Sequence, residues 1–328
     1  MNRKSAFSVE LALDQDDEVY SMIPRGNGLF VITHQKILRI RTQDALDPEG
    51  AIDDVPVEQS IHIPYGSRDD IVARTVLQTK AISDVFFATQ PERQRPLIDL
   101  SWELMNSLLA LRFINSRLDA LIQAGIDVVE KDLEAYRSGF SPKPLPITSY
   151  LDIEFRSFVT EVRRILNKIS ELFVNLTDAD ILPGQFHRAI EWAEKSRGSD
   201  AILTKSLKAD QHWIKLWIDV RIAIEHPKKD RYVETTDFCL RSDRTIMLPT
   251  WRFVHPDYDM ARPQNLLIAL DNCRNNLLKL YEDLLVMLTD GHQPPWMAVS
   301  FESVNEKQRN PVCPMRWKFD VLAPRLSS

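Results

Sequence analysis

The segment with the most chemical potential is 221-RIAIEHP-227, in which an arginine and a histidine stand five residues apart, just before a proline. Histidine titrates near neutral pH and arginine binds phosphate well, so the pair has the composition of a site that cuts RNA. The same residues also suit the charged end of a buried helix, because cationic side chains are favourable near a helix C-terminus. On the sequence, both interpretations stay open.

The predicted helix that carries this pair is apolar around most of its circumference, which indicates a central position in its domain. On an ideal helix, Arg221 and His226 would lie about 140° apart, because each residue turns the helix by about 100°. They converge only if the helix ends before His226. Pro227 favours such an end, since the residue before a proline is pushed out of the α region. The same helix predicts two ion pairs at i,i+4 spacing: Lys215 with Asp219, and Arg221 with Glu225.

An R-x4-H motif at the end of a long helix, preceded by a separate amphipathic helix, resembles the HEPN superfamily of helical domains. The resemblance covers about residues 149–290 and depends on 221-RIAIEH-226 and on the order of the helices around it. Members of that superfamily are commonly dimeric, and many are metal-independent endoribonucleases of toxin–antitoxin and phage-defence systems. The family often has a polar residue, typically asparagine, directly after the arginine, where this chain has Ile222.

The resemblance implies roles for individual side chains. His226 would be the general base for the ribose 2′-hydroxyl or the acid for the leaving 5′-oxygen, and Arg221 would stabilise the charged phosphorane. A two-fold homodimer would supply both proton-transfer groups from two copies of the pair. The product would carry a 2′,3′-cyclic phosphate, and neither a metal nor another cofactor would be needed. The side chains that support this pair would be Lys215, Asp219 and Glu225. The side chains that bind the RNA would be Lys228, Lys229 and Arg231.

A second interpretation is a non-catalytic helical interaction module of the same fold, which binds RNA or a cognate protein partner. Ile222 and the net charge of −6 favour it, because an acidic protein has weak non-specific affinity for nucleic acid. Arg221 would then only neutralise Glu225. In the preceding helix, Arg163 and Arg164 either line the same cleft or lie on a solvated face. A third interpretation, a protein that binds a small molecule or nucleotide between the β region and the helices, has no identifying motif.

Length and composition bound these alternatives. A chain of 328 residues predicts about two domains. The chain has only nine glycines. This small number argues against glycine-rich phosphate-binding loops and against an all-β fold with many tight turns. Three widely spaced cysteines fit neither a metal site nor a disulfide framework, which favours a reducing cytoplasm. The first residues lack the apolar stretch of a signal peptide, and charges interrupt the most apolar helix, 266–288, so no membrane segment is expected.

The pattern of the whole chain predicts a mainly α fold. We expect a helical bundle of HEPN-like, up-down helices with small β elements at the N- and C-terminal ends. A small β region would occupy 1–66, and long helices over 67–140 would pack on the bundle. The alternating residues of 296–322 would form strands that pair with the N-terminal region.

Between these ends we expect the domain that carries the motif. The segment 141–149 holds three prolines and is the predicted connector. The HEPN-like helical domain would follow at 150–291. It would include a β-hairpin excursion at 232–253, with a turn near Arg241-Ser242-Asp243.

Overall fold

The structure is a computed structural model that describes residues 11–41, 43–49, 57–132, 136, 144–243, 245–260, 262–293 and 298–322. The chain divides into two compact units, one of Met1–Trp102 with His292–Ser328 and one of Glu103–Gly291. We expected the internal boundary at 141–149, of which residues 141–143 lie outside the described part. The division falls at Trp102 instead, within a helix.

The predicted mainly helical bundle is wrong, because the protein is a mixed α/β protein. Among the described residues, 54% are helical and 19% lie in strands, close to the strand content of about 20–25% in average globular proteins. These strands form four separate small sheets, two of which lie within Glu103–Gly291 and not at the chain ends. Sequence patterns missed the strand Gln264–Asn265, because two residues carry no measurable alternation.

The first unit is built on a four-stranded antiparallel sheet whose strands neighbour each other in chain order. Its core contains Val31, Leu38 and Ile40, all buried, since these residues alternate on the inner face. The elements are β1 (Val19–Arg25), β2 (Gly28–Thr33), β3 (Ile37–Arg41), α1 (Gln43–Leu46) and β4 (Glu58–Ile63). Residues 1–10, 42 and 50–56 of the predicted β region lie outside the described part.

A helix follows the sheet, and Asp69 begins it by accepting hydrogen bonds from the backbone N–H groups of Ile71 and Val72. It comprises α2 (Asp70–Val72), a π-helical stretch (Ala73–Leu77) and α3 (Gln78–Phe86).

The C-terminal segment of the chain returns to this unit. The backbone N–H groups of Arg316 and Trp317 both donate to the side-chain oxygen of Gln78, at 3.2 Å each. Ser67 Oγ donates to the carbonyl of Val312 at 2.8 Å. Within the described residues, these contacts join the C-terminal segment to the first unit through the side chains of Gln78 and Ser67.

The pairing predicted for the C-terminal strands needs correction. β10 (Ala298–Ser303) and β11 (Trp317–Leu322) pair with each other in an antiparallel ladder. In the described residues they form their own two-stranded sheet, separate from the four N-terminal strands. Alternation predicts which residues share a face of a strand, but it does not identify the partner strand.

The second unit holds most of the long helices. α4 (Pro91–Lys131) begins in the first unit and continues into the second. α5 (Leu151–Leu176), α6 (Phe186–Arg197), α7 (Ile202–Glu225) and α8 (Leu266–Thr289) follow. α5 packs against α7 and α8, and α6 packs against α7. The apolar side chains that recur along α5 with the 3.6-residue period of a helix are fully buried: Phe155, Phe158, Val162, Ile165, Ile169 and Leu172.

The strands of this unit follow α7 in the chain, and β5 packs against that helix. β5 (Tyr232–Thr236) pairs with β8 (Thr250–Val254), and β9 (Gln264–Asn265) adds to β8. A shorter hairpin of β6 (Cys239–Leu240) and β7 (Ile246–Met247) lies between β5 and β8 in the chain. This arrangement agrees with the hairpin predicted at 232–253.

Gly125 lies inside α4, although a glycine often marks the end of a helix. A Cβ atom at this position would lie 2.5 Å from a ring carbon of the buried Phe238. The glycine therefore permits close packing of the helix against an aromatic ring, and it does not end the helix.

Candidate functional site

The end of α7 has the geometry that Pro227 predicts. The helix ends at Glu225, and His226 has left the α region with φ −132° and ψ 65°. Its backbone N–H still donates to the carbonyl of Ile222 at 2.8 Å, so His226 closes the last turn. The side chain of His226 is exposed. The imidazole is thus presented to solvent immediately beyond the helix.

Arg221 makes the ion pair predicted by its spacing. Its Nη2 lies 2.7 Å from Glu225 Oε1, and the two side chains are 35% and 42% exposed. Within the described residues, no hydrogen bond or ion pair joins Arg221 to His226. A partly exposed pair of this kind contributes at most about 1 kcal/mol, so a phosphate group can compete with Glu225 for the guanidinium.

The predicted basic patch separates into two parts. Lys228 and Arg231 exchange backbone hydrogen bonds of 2.7 and 3.1 Å, which close a tight turn. Lys228 and Lys229 are exposed on that turn, whereas Arg231 is half-buried. The pKa of Asp257 is lowered, first by a hydrogen bond from Lys215 and to a smaller extent by the charge of Arg231. Lys228 and Lys229 are therefore the solvent-facing charges of the predicted patch.

Lys215 lies in a polar network that is larger than its predicted pair. Its Nζ is 3.0 Å from both Asp219 Oδ2 and Asp257 Oδ2. The hydroxyl of Tyr258 donates to Asp219 Oδ2 at 2.8 Å. These carboxylates raise the pKa of Lys215, and burial with the Asp219 bond raises the pKa of Tyr258 to about 12.

The Lys215–Asp219 pair is confirmed, and the network keeps Lys215 charged in one position. Asp257 and Tyr258 were missed because they come from a turn far along the chain, and local spacing carries no signal for them. We expected Lys215, Asp219 and Glu225 to support the Arg221–His226 pair. In the described part of the chain, only Glu225 contacts a member of that pair, and it contacts Arg221.

A cavity of about 440 Å³ lies in the second unit, between α5, the start of α6, and α7. Phe186, Ile214 and Ile218 form its apolar wall. Arg163, Lys215 and Gln185 are among its polar lining residues. Ligand pockets typically have volumes of about 300–1,000 Å³ and combine apolar walls with a few polar groups. The cavity therefore has the size and composition of a small-molecule site.

Arg163 is the most unusual side chain of this cavity. Its Nη1 is buried and has no hydrogen-bond partner among the described residues. Burial lowers the pKa of Arg163, and the charge of Arg221 lowers it further. Arg164 is 65% exposed and lies 3.8 Å from Glu161. Arg163 thus lines the cleft and Arg164 lies on the solvated face.

Gly184 allows this arrangement. It has φ 78°, and a Cβ atom there would lie 2.7 Å from Arg163 Nη2 and 2.5 Å from Asn167 Oδ1. Only glycine adopts that backbone conformation without strain and leaves room for the guanidinium. Gly184 lies just before the start of α6, and a glycine at such a position can indicate close packing. This indication was missed when the site was predicted from the sequence.

A serine, a histidine and a glutamate come together in the first unit without forming a nucleophilic site. His34 Nδ1 lies 3.0 Å from Ser67 Oγ, and His34 Nε2 lies 3.6 Å from Glu18 Oε2. Ser67 is fully buried, and its hydroxyl proton is committed to the carbonyl of Val312. His34 therefore donates to the serine oxygen and does not take its proton, so these residues form a structural contact and not a catalytic triad.

In the described ranges, no group of three or more His, Cys, Asp or Glu side chains is arranged to hold a metal ion. Nor does any helix in that part of the chain combine the length and apolarity needed to span a bilayer. Comparisons with protein-family models, curated proteins and solved structures return no match. The resemblance to HEPN domains accordingly stays a prediction.

Proposed function

We propose that this protein is a metal-independent endoribonuclease of HEPN type, with His226 and Arg221 as its catalytic residues. The observation that carries the proposal is the end of α7 at Glu225, which leaves the imidazole of His226 exposed beyond the helix. A proton-transfer group must reach the ribose, and a histidine on the continuous helix would point away from Arg221.

The proposed reaction breaks one P–O bond and forms another. His226 takes the proton of the ribose 2′-hydroxyl, and the 2′-oxygen attacks the adjacent phosphorus. Arg221, released from Glu225, stabilises the extra charge of the phosphorane. The P–O5′ bond then breaks, and the leaving oxygen receives a proton from the histidine of a second copy in a homodimer. The products are a 2′,3′-cyclic phosphate and a 5′-hydroxyl.

Two further features support RNA as the substrate. Lys228 and Lys229 are exposed on the tight turn that follows His226, and each can neutralise a backbone phosphate. Arg163 adds a second guanidinium, whose pKa is lowered by burial and by the charge of Arg221. We also place the protein in the cytoplasm, because Cys239, Cys273 and Cys313 are free thiols.

The test is an RNA cleavage assay in EDTA with the full chain. We expect wild-type protein to leave 2′,3′-cyclic ends, identified by mass spectrometry, and His226→Ala to cleave at least about a hundredfold more slowly. His212→Ala is the matched control, because His212 is an exposed histidine on the same helix. Thermal unfolding of each variant must match that of the wild type. Equal cleavage by all three proteins would assign the activity to a contaminant and refute the proposal.

The second candidate is a non-catalytic module that binds RNA or a protein partner. The 2.7 Å pair of Arg221 with Glu225 favours it, because this pair occupies the guanidinium that catalysis needs. Glu225→Gln separates the two functions. In a ribonuclease it releases Arg221, and cleavage is maintained or increased. In a binding module it produces no cleavage, and RNA retention in a filter assay continues without products.

A further inference from the structure

The cavity of the second unit carries a positive charge that has no counterion. Within the described residues, Arg163 forms no ion pair, and its Nη1 is buried without a hydrogen-bond partner. The cavity of about 320 Å³ in the first unit differs, because its Arg25 lies 2.6 Å from Asp99. A half-buried guanidinium whose Nη1 is buried without a carboxylate is unfavourable, and an anionic ligand would reduce that penalty.

Lys215 also lines this cavity, and its ammonium group is already paired with two carboxylates. Asp219 and Asp257 each hold its Nζ at 3.0 Å, so the ammonium group is fixed without a ligand. A group that is already ordered loses little entropy when it binds.

The rest of the lining has the chemistry of a nucleobase site. Phe186, Ile214 and Ile218 provide an apolar wall, and Gln185 and Gln211 provide amides. The side-chain oxygen of Gln185 is buried and has no partner in the described part of the chain. A base presents flat apolar faces and an edge of donors and acceptors, which amides match. A simple fatty acid would leave those amides unpaired.

We propose that this cavity binds a ribonucleoside 5′-monophosphate, with the phosphate on Arg163 and Lys215 and the base against Phe186, Ile214 and Ile218. This site goes beyond the proposed nuclease activity. It requires neither His226 nor the ion pair of Arg221, and nucleotide binding is therefore expected in His226→Ala as in the wild type.

The test is calorimetric titration of the full chain with AMP, GMP, CMP and UMP. The matching nucleosides and inorganic phosphate serve as the two separate halves of the ligand. We expect at least one nucleotide to bind about tenfold or more tightly than either of its halves, because charge-assisted hydrogen bonds and base burial add. Binding of phosphate as tight as that of every nucleotide would refute the base site. Absence of binding by all four nucleotides would refute the whole proposal.

Adjacent residues give the matched variants. Arg163→Gln should weaken nucleotide binding about tenfold or more, whereas Arg164→Gln, which changes the solvated neighbour, should leave it unchanged. Lys215→Gln and Lys208→Gln form a second pair on α7, since Lys208 pairs with Glu194 outside the cavity. This second pair decides the matter if Arg163→Gln does not fold. Equal loss in both members of a pair would overturn the proposal.

The outcome separates from that of the nuclease assay. Nucleotide binding retained in His226→Ala, with no RNA cleavage by the wild type, would refute the proposed function and leave this site standing. Cleavage by the wild type without nucleotide binding would refute only the site.

Discussion

Replacing Gly125 by alanine tests the packing of the second unit. In an ordinary helix interior, alanine is more stable than glycine by about 1 kcal/mol. Here the new Cβ would lie 2.5 and 2.6 Å from two ring carbons of Phe238, far inside contact distance. Overpacking of this kind costs about 1–3 kcal/mol. We therefore expect Gly125→Ala to lower the free energy of unfolding by up to about 2 kcal/mol.

A double-mutant cycle isolates the cause of that loss. Phe238→Ala removes the ring, at a cost of about 3–5 kcal/mol for a buried phenylalanine. In that background the alanine at position 125 meets no ring, so it should stabilise the protein by about 1 kcal/mol. The effect of Gly125→Ala on the free energy of unfolding therefore changes sign between the two backgrounds. The coupling energy between positions 125 and 238 equals the overpacking cost.

The assay is urea unfolding of the four proteins, followed by circular dichroism at a helix wavelength. Ala124→Gly calibrates the helix preference, because Ala124 is an exposed neighbour on the same helix. Gly125→Ala that stabilises both backgrounds equally would mean that the ring and the helix do not touch, and the close packing described here would be refuted.

The remaining predictions concern the Lys215 network. Tyr258→Phe removes the 2.8 Å hydrogen bond to Asp219 and should cost about 1.5–3 kcal/mol in the free energy of unfolding, because the acceptor is charged. An unchanged urea midpoint would contradict this. Lys215 lowers the pKa of Asp257, so the contribution of this carboxylate is present above its ordinary pKa and is lost as the pH falls through the lower folded value. Asp257→Asn should therefore be less stable than the wild type at pH 7, and the difference should shrink below about pH 4. A difference that stays constant from pH 7 to pH 3 would show that the Lys215 contact does not act on Asp257.

Local features were predictable because neighbouring residues determine them. The buried stripe of α5 follows from a 3.6-residue period that extends over many turns. The end of α7 follows from Pro227, which disfavours the α region at His226. The ion pairs of Lys215 and Arg221 follow from i,i+4 spacing, which is fixed by helix geometry.

The features that were predicted wrongly or missed depend on distant parts of the chain. The predicted fold class was wrong, and the strand Gln264–Asn265 was missed because two residues leave no period in the sequence. The partner of β11 is β10, and alternation alone does not select a partner. Asp257 and Tyr258 reach Lys215 through a turn after β8, so no local motif reports them. The cavity is lined by Arg163 and Gly184, which come from separate segments of the chain, so no local pattern indicates it.

The first unit is discontinuous in the chain. Its sheet neighbours are also chain neighbours, so β1 to β4 can pair as soon as they leave the ribosome. Its contacts to Gln78 and Ser67 come from Arg316, Trp317 and Val312. These residues are synthesised only after Glu103–Gly291 has been made.

The first unit therefore begins earlier in translation than the second unit but is completed later. The inserted unit is translated entirely while the first unit still lacks its C-terminal segment, so the inserted unit can finish folding first. Until translation ends, the side-chain oxygens of Gln78 and Ser67 lack their partners in the C-terminal segment. They then remain accessible to solvent, to chaperones and to neighbouring nascent chains on the same polysome.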